Sequence, residues 1–92
     1  MENNIDFKWY MIRVRTNKEK DALENVKTEI RLNNLEKYVL DYLIPTERRV
    51  IISRGKKINR ESLVFPGYVM IHCQMVGELP RTIKRTNYVS DL

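Results

Sequence analysis

Few residues of this chain have the type and spacing that covalent chemistry needs. The single histidine, His72, adjoins the single cysteine, Cys73. In an extended strand consecutive side chains point to opposite faces, so these two cannot form a nucleophile–base dyad. The carboxylates of Glu19, Asp21, Glu24 and Glu29 sit among lysines and read as a solvated helix face. Asp41 and Glu47 flank Pro45 without a metal-ligand pattern. One cysteine excludes an internal disulfide and a multi-cysteine metal site. The glycines, at 55, 67 and 77, lie too far apart to build a phosphate-cradling loop. The expectation is a chain with no catalytic residue, no metal and no cofactor.

Charge is the stronger signal. Residues 1–46 carry eight Lys/Arg and eight Asp/Glu, whereas residues 47–92 carry nine and four, so the whole net charge of +5 belongs to the second half. Between Arg48 and Arg60 there are six bases (Arg48, Arg49, Arg54, Lys56, Lys57, Arg60) and no acid. Such asymmetry fits an anionic neighbour, nucleic acid first, or a hairpin kept soluble by charge.

These residues must be positioned by a single core, since 92 residues make one domain. An apolar fraction of 42% against 32% charged is that of a globular chain. No apolar run approaches the ~18 residues that would cross a bilayer, and the polar, acidic start is unlike a secretory signal. A monomer in the reducing cytoplasm is expected, without membrane partners. Tyr10, Ile12 and Val14 alternate with Met11, Arg13 and Arg15, predicting a strand over 7–15. Thr16 or Asn17 would cap a helix running from Lys18 to about Leu32, with Leu23, Val26 and Ile30 inward and Asn33-Asn34 as its stop. A helical turn at 35–38, strands over 39–44, 49–53 and 63–73, a short helix over 78–85 and a last strand over 88–92 complete the order. The basic segment 54–60 is expected as a protruding loop turning at Gly55. The result is an α+β fold, a mostly antiparallel four- to five-stranded sheet with helices packed on it, of ferredoxin-like character.

Within it, Phe65-Pro66-Gly67-Tyr68 places two aromatics around a residue that cannot donate and one without a side chain. They are either two core rings on a bulged strand or an exposed aromatic shelf shaped to receive an amphipathic helix. An RNA-binding sheet of the same topology needs an uninterrupted aromatic platform, which Pro66-Gly67 in the strand's path would spoil.

Three blocks in order, Trp9-Tyr10, Ile44-Pro45-Thr46-Glu47 and Phe65-Pro66-Gly67-Tyr68-Val69, resemble the N-terminal (NGN) domain of bacterial NusG-family transcription elongation and antitermination factors. The helix near Lys18, the hairpin residues Gly55-Lys56-Lys57 and the segment Val76-Gly77-Glu78-Leu79-Pro80 also fit, so the likeness spans about residues 8–86. It implies an NGN domain over 8–92 behind a tail at 1–7. It also implies a non-enzymatic factor that binds the clamp helices of the largest RNA polymerase subunit, bridges the DNA channel and modulates pausing, elongation and termination. On that resemblance Phe65, Pro66 and Tyr68 fall on the aromatic motif expected to touch polymerase, with Ile44 and Trp9 as further matches and Trp9 equally a core pillar. Non-template DNA would be an auxiliary contact of Arg13, Arg15, Lys18, Arg81 and Lys84. The family's usual Pro-x-Val-x-Gly-Phe ending is replaced by Asn87-Tyr88-Val89-Ser90-Asp91-Leu92, which leaves open a specialised paralogue of the RfaH kind. A stand-alone nucleic-acid-binding module of ferredoxin-like form is the other reading. Binding of Rho or a ribosomal protein would belong to a C-terminal KOW domain and linker that these residues do not include.

Overall fold

The computed structural model describes residues 6–92, and the backbone alone at Arg48, Arg49 and Ile51. Residues 1–5 of the expected tail lie outside the described residues. Strand β1, Lys8–Val14, keeps the predicted two-residue alternation, with Ile12 and Val14 buried and Trp9, Met11 and Arg13 exposed. Helix α1, Glu19–Leu32, buries Ala22, Leu23, Val26 and Ile30, the inward stripe expected of its spacing. Its start differs from expectation. Lys18 holds the N-cap position without a side-chain bond. Thr16 and Asn17 are consumed by a tight turn in which Asn17 takes a φ of 70°. The stop is as expected: Asn34 adopts the left-handed conformation at φ 57°, and the Leu35 amide donates back to the Ile30 carbonyl at 2.9 Å.

A 3₁₀ turn, Glu36–Tyr38, leads into β2, Val39–Leu43. Pro45 ends that strand because it has no donor to offer a ladder. The next strand is longer than predicted, and the one after it was not predicted. β3, Thr46–Ser53, and β4, Lys56–Leu63, form a two-stranded ribbon of their own, so the basic segment is a strand rather than a loop. Arg54 and Gly55 alone make the turn, with φ of 52° and 75°. Two successive positive φ values match the right-handed twist of the flanking strands, and that is how so short a connection closes a hairpin. The predicted strand over 63–73 is divided as well. Its second part is β5, Tyr68–Cys73, followed by α2, Leu79–Lys84, with Pro80 in the first turn, and by β6, Val89–Asp91.

The main sheet is antiparallel in the order β2-β5-β1-β6. With the ribbon set aside, this is the arrangement of a β-α-β-β-α-β unit, first and third strands central, and the ribbon is an excursion between the second and third. Both helices lie on one face. Ile12, Val69, Ile71, Val26, Ile30, Leu79 and Ile83 are fully buried between sheet and helices. Among the described residues no helix is long and apolar enough to cross a membrane. Ile71 sits at the centre of this layer, so Ile71→Ala should cost about 2–5 kcal/mol in urea unfolding. Leu32→Ala, at a residue 67% exposed, should stay within about 0.5 kcal/mol.

Candidate functional site

Two helices cover one face of the sheet, and the strand register assigns the residues of the other. Cross-strand partners share a face, so the pairing sets three rows across it. Asp41, His72 and Trp9 form one, and Leu43, Met70 and Met11 the next. Tyr68, Arg13 and Asp91 form the third. The middle row is wholly apolar, and Leu43 and Met11 are 46% and 40% exposed. Trp9, at 42%, stacks on His72 with ring centroids 4.8 Å apart and planes 15° from parallel. Phe7 meets the same imidazole edge-on at 6.2 Å. Large side chains left open side by side on one face are the mark of a contact surface, and methionine suits it by conforming to irregular partners.

The corner beside this face is the Phe65–Tyr68 turn. The Tyr68 amide donates to the Phe65 carbonyl at 3.2 Å, Pro66 occupies the second position, and Gly67 has a φ of 84°. This is a type II turn, whose third residue must take positive φ. A Cβ on Gly67 would meet Thr16 Oγ1 at 3.4 Å and the Val14 carbonyl oxygen at 3.6 Å, which is ordinary contact. Glycine is therefore required by the dihedral angle rather than by space. The turn leaves Phe65 49% exposed and Pro66 exposed, with Tyr68 half-buried. Of the two readings left open by the sequence, the exposed shelf describes Phe65 and the two-core-ring reading does not. Because the turn precedes β5, Pro66-Gly67 does not break that strand, as the sequence reading expected. A base-stacking platform is disfavoured for another reason: methionines, not aromatics, occupy the middle row, and Asp41 and Asp91 flank it.

Glu19 holds the turn in place. Sequence placed it on a solvated helix face, yet it is only 5% exposed, and its carboxylate accepts the Gly67 amide at 2.8 Å. The Gly67 carbonyl in turn accepts the Val14 amide at 2.8 Å, tying the turn to the end of β1. Burial alone would push the Glu19 carboxyl up. Backbone donors of Gly67, Glu19 itself and Asn17 outweigh it and hold the group below its ordinary value of 4.5.

The other expected residues are distributed unevenly. Trp9 lies on the open face rather than in the core. Ile44 packs against the core cluster, and its neighbour Leu43 takes the outward position. Arg13 belongs to the third row of the open face, while Arg81 and Lys84 project from α2 in the opposite layer. Arg15 follows β1, its amide donating to the Tyr88 carbonyl at 2.9 Å. Lys18 lies 3.9 Å from Asp21 and 5.8 Å above the Tyr88 ring, and Arg81 lies 3.5 Å from Glu78. The five bases thus form no single patch. Cys73 is buried on the helix side, opposite to His72, and burial pushes its thiol up to about 11, far from a reactive thiolate. Among the described residues no group of three His, Cys, Asp or Glu could hold a metal. Sequence reasoning gave no role to Met11, Leu43 and Met70. Their shared face was implicit in the strand period, but which strands would be neighbours was not.

The family model described as "Transcription termination factor nusG" matches residues 7–92. The chain belongs to the NusG family. It corresponds to that family's N-terminal domain. Similar relatives named "Transcription termination/antitermination protein NusG" include those of Neisseria meningitidis serogroup B and Pseudomonas aeruginosa. The first is 29% identical over 83 residues, 90% of this chain and 47% of the relative. The second is 29% identical over 68 residues, 74% of this chain and 38% of the relative. The chain therefore spans less than half the length of these NusG proteins. A solved structure described as "Domain interaction in Thermotoga maritima NusG" shares the fold, with a TM-score of 0.67 at 23% identity over 91% of this chain and 44% of that one.

The NusG-type corner yields two expectations. Glu19→Ala leaves the Gly67 amide buried without an acceptor, a loss of about 1–3 kcal/mol at pH 7, whereas Glu19→Gln keeps an acceptor and should lose less. A carboxyl held below its unfolded value stabilises fully above that value and progressively less as pH falls through the folded one. The difference between wild type and Glu19→Gln in urea unfolding should accordingly shrink as the pH is taken below 4.5.

Proposed function

We propose that this chain is the polymerase-docking part of a transcription termination/antitermination factor. Its open sheet face and the adjoining Phe65-Pro66 corner lie against the clamp helices of the largest RNA polymerase subunit. The carrying observation is the row Leu43–Met70–Met11, flanked by Trp9 and left uncovered by either helix. A helical hairpin presents apolar side chains in a stripe, and a twisted sheet face with a turn raised at one corner offers a complementary floor. Contacts of this kind bury ~1,200–2,000 Å² in total, with a few large side chains dominating. Trp9, Met11, Leu43 and Phe65 are the anchors by exposure, with Pro66 and Tyr68 beside them, and Ile44 supports them from beneath.

Docked there, the domain bridges the DNA channel and modulates pausing, elongation and termination. Non-template DNA is an auxiliary contact, with Arg13, Arg15, Lys18, Arg81 and Lys84 as candidates. Tethering to polymerase raises the effective concentration enough for weak charge contacts to count. Contacts with Rho or a ribosomal protein belong to a C-terminal domain outside these residues. The domain acts as a monomer over residues 8–92, in the cytoplasm, without catalysis.

Pull-down of core RNA polymerase by the purified chain tests this reading. Phe65→Ala and Met11→Ala should each weaken binding about 30-fold, as for an anchor contributing ~2 kcal/mol, while circular dichroism stays native. Undiminished binding by a Met11→Asp, Leu43→Asp double variant would overturn the assignment. Binding of single-stranded nucleic acid that is lost in Trp9→Ala would favour the stand-alone nucleic-acid module instead.

A further inference from the structure

The β3–β4 ribbon carries charge that the polymerase-docking face does not account for. Its register runs from Thr46 opposite Leu63 to Ser53 opposite Lys56, a length of ~25 Å at ~3.3 Å per residue. At its base the Val64 amide donates to the Pro45 carbonyl. Beyond that the two strands pair chiefly with each other. The radius of gyration, 16.1 Å, exceeds the ~12 Å of a compact chain of this length, as expected of a projecting arm. Arg54, Lys56, Lys57 and Arg60 are exposed, and among the described residues none has an acidic side chain within 4.0 Å. By contrast, Lys18 and Lys27 on α1 lie 3.9 and 3.6 Å from Asp21 and Glu24. The ribbon's two acids, Glu47 and Glu61, lie at its base, and residues 48–60 carry none, so the outer part of the arm is of one sign.

We propose that the β3–β4 ribbon docks in the major groove of double-stranded DNA, with Arg54, Lys56, Lys57 and Arg60 on the flanking phosphates. The choice of duplex rests on shape and composition. A two-stranded ribbon fits the ~12 Å width of the B-form major groove, whereas the A-form groove of duplex RNA is too narrow and deep to admit it. Single strands are held by stacking on aromatic side chains, and residues 46–63 contain no Phe, Tyr or Trp. Val50 and Ile52, 62% and 72% exposed, add apolar surface of the kind thymine methyl groups meet in that groove. This contact is separate from the polymerase face and needs no polymerase to be observed.

Fluorescence anisotropy of the 92-residue chain tests it, using a labelled 20-base-pair DNA duplex, its single strand and the matching RNA duplex between 50 and 200 mM salt. The DNA duplex should bind at least fivefold more tightly than either alternative. The variant Arg54→Gln, Lys56→Gln, Lys57→Gln, Arg60→Gln should lose at least tenfold in affinity, and its log-affinity against log-salt slope should become shallower by about 3–4. The milder Lys56→Gln, Lys57→Gln should change the slope by about 2. A control of equal charge change on the helix side, Lys20→Gln, Lys27→Gln, Arg31→Gln, Lys37→Gln, should stay within twofold of wild type. Equal losses from ribbon and control variants, or preference for single strands or duplex RNA, would overturn the proposal. So would capture by phosphatidylserine vesicles that excess duplex DNA does not reverse. Native circular dichroism of the ribbon variants, whose substitutions are all at exposed positions, ties any loss to charge.

Discussion

Every residue of a β-strand must face one side of its sheet or the other, and the two helices of this chain cover only one side. That constraint organises the molecule. Strands β1 and β5 are central, so both of their faces matter. Ile12, Val14, Val69, Ile71 and Cys73 are sealed against the helices, while Trp9, Met11, Met70 and His72 stand on the uncovered side. A one-residue slip in register would exchange the two sets and put a tryptophan, two methionines and a histidine into the core. Stability and the exposed apolar face are thus two outcomes of one alternation.

The corner at Phe65–Tyr68 shows how a polar contact can serve an apolar surface. A type II turn at the edge of a sheet would ordinarily present its amides to water. Here the Gly67 amide is directed inward and needs an acceptor. The first residue of α1 provides one, from 48 positions away in sequence. A neutral acceptor would satisfy the same amide, but a carboxylate at a helix start also gains from the partial positive charge of the unpaired N–H groups there. The helix, the end of β1 and the turn are thereby fixed relative to one another, and the position of Phe65 follows from that.

The ribbon obeys different rules from the body. With only two strands, each has an outer edge free to pair with another chain, and the sequence has Arg or Lys along both. The same charges keep the arm from aggregating and make it attractive to a polyanion. The apolar floor and the basic arm lie on separate sheets, so a contact made by one takes no area from the other.

The sequence by itself determined the order of the elements outside the ribbon, the inward stripe of α1, the Asn34 stop and the two sides of β1, because each follows from residues within a turn or two of one another. It also contained the family resemblance, carried by short blocks whose residues are contiguous. It did not show that the basic segment is a strand. Its alternation is masked by charges on both faces, and a ribbon that buries so little has no apolar period to read. Nor did it show the burial of Glu19, the inward turn of Ile44 with Leu43 in the outward place, or the alignment of Met11 with Met70 and Leu43. Those depend on which strands become neighbours and in what register. Only the tertiary structure decides that, since pairing between distant segments is settled by how the whole core closes and leaves no signature in any local stretch of chain.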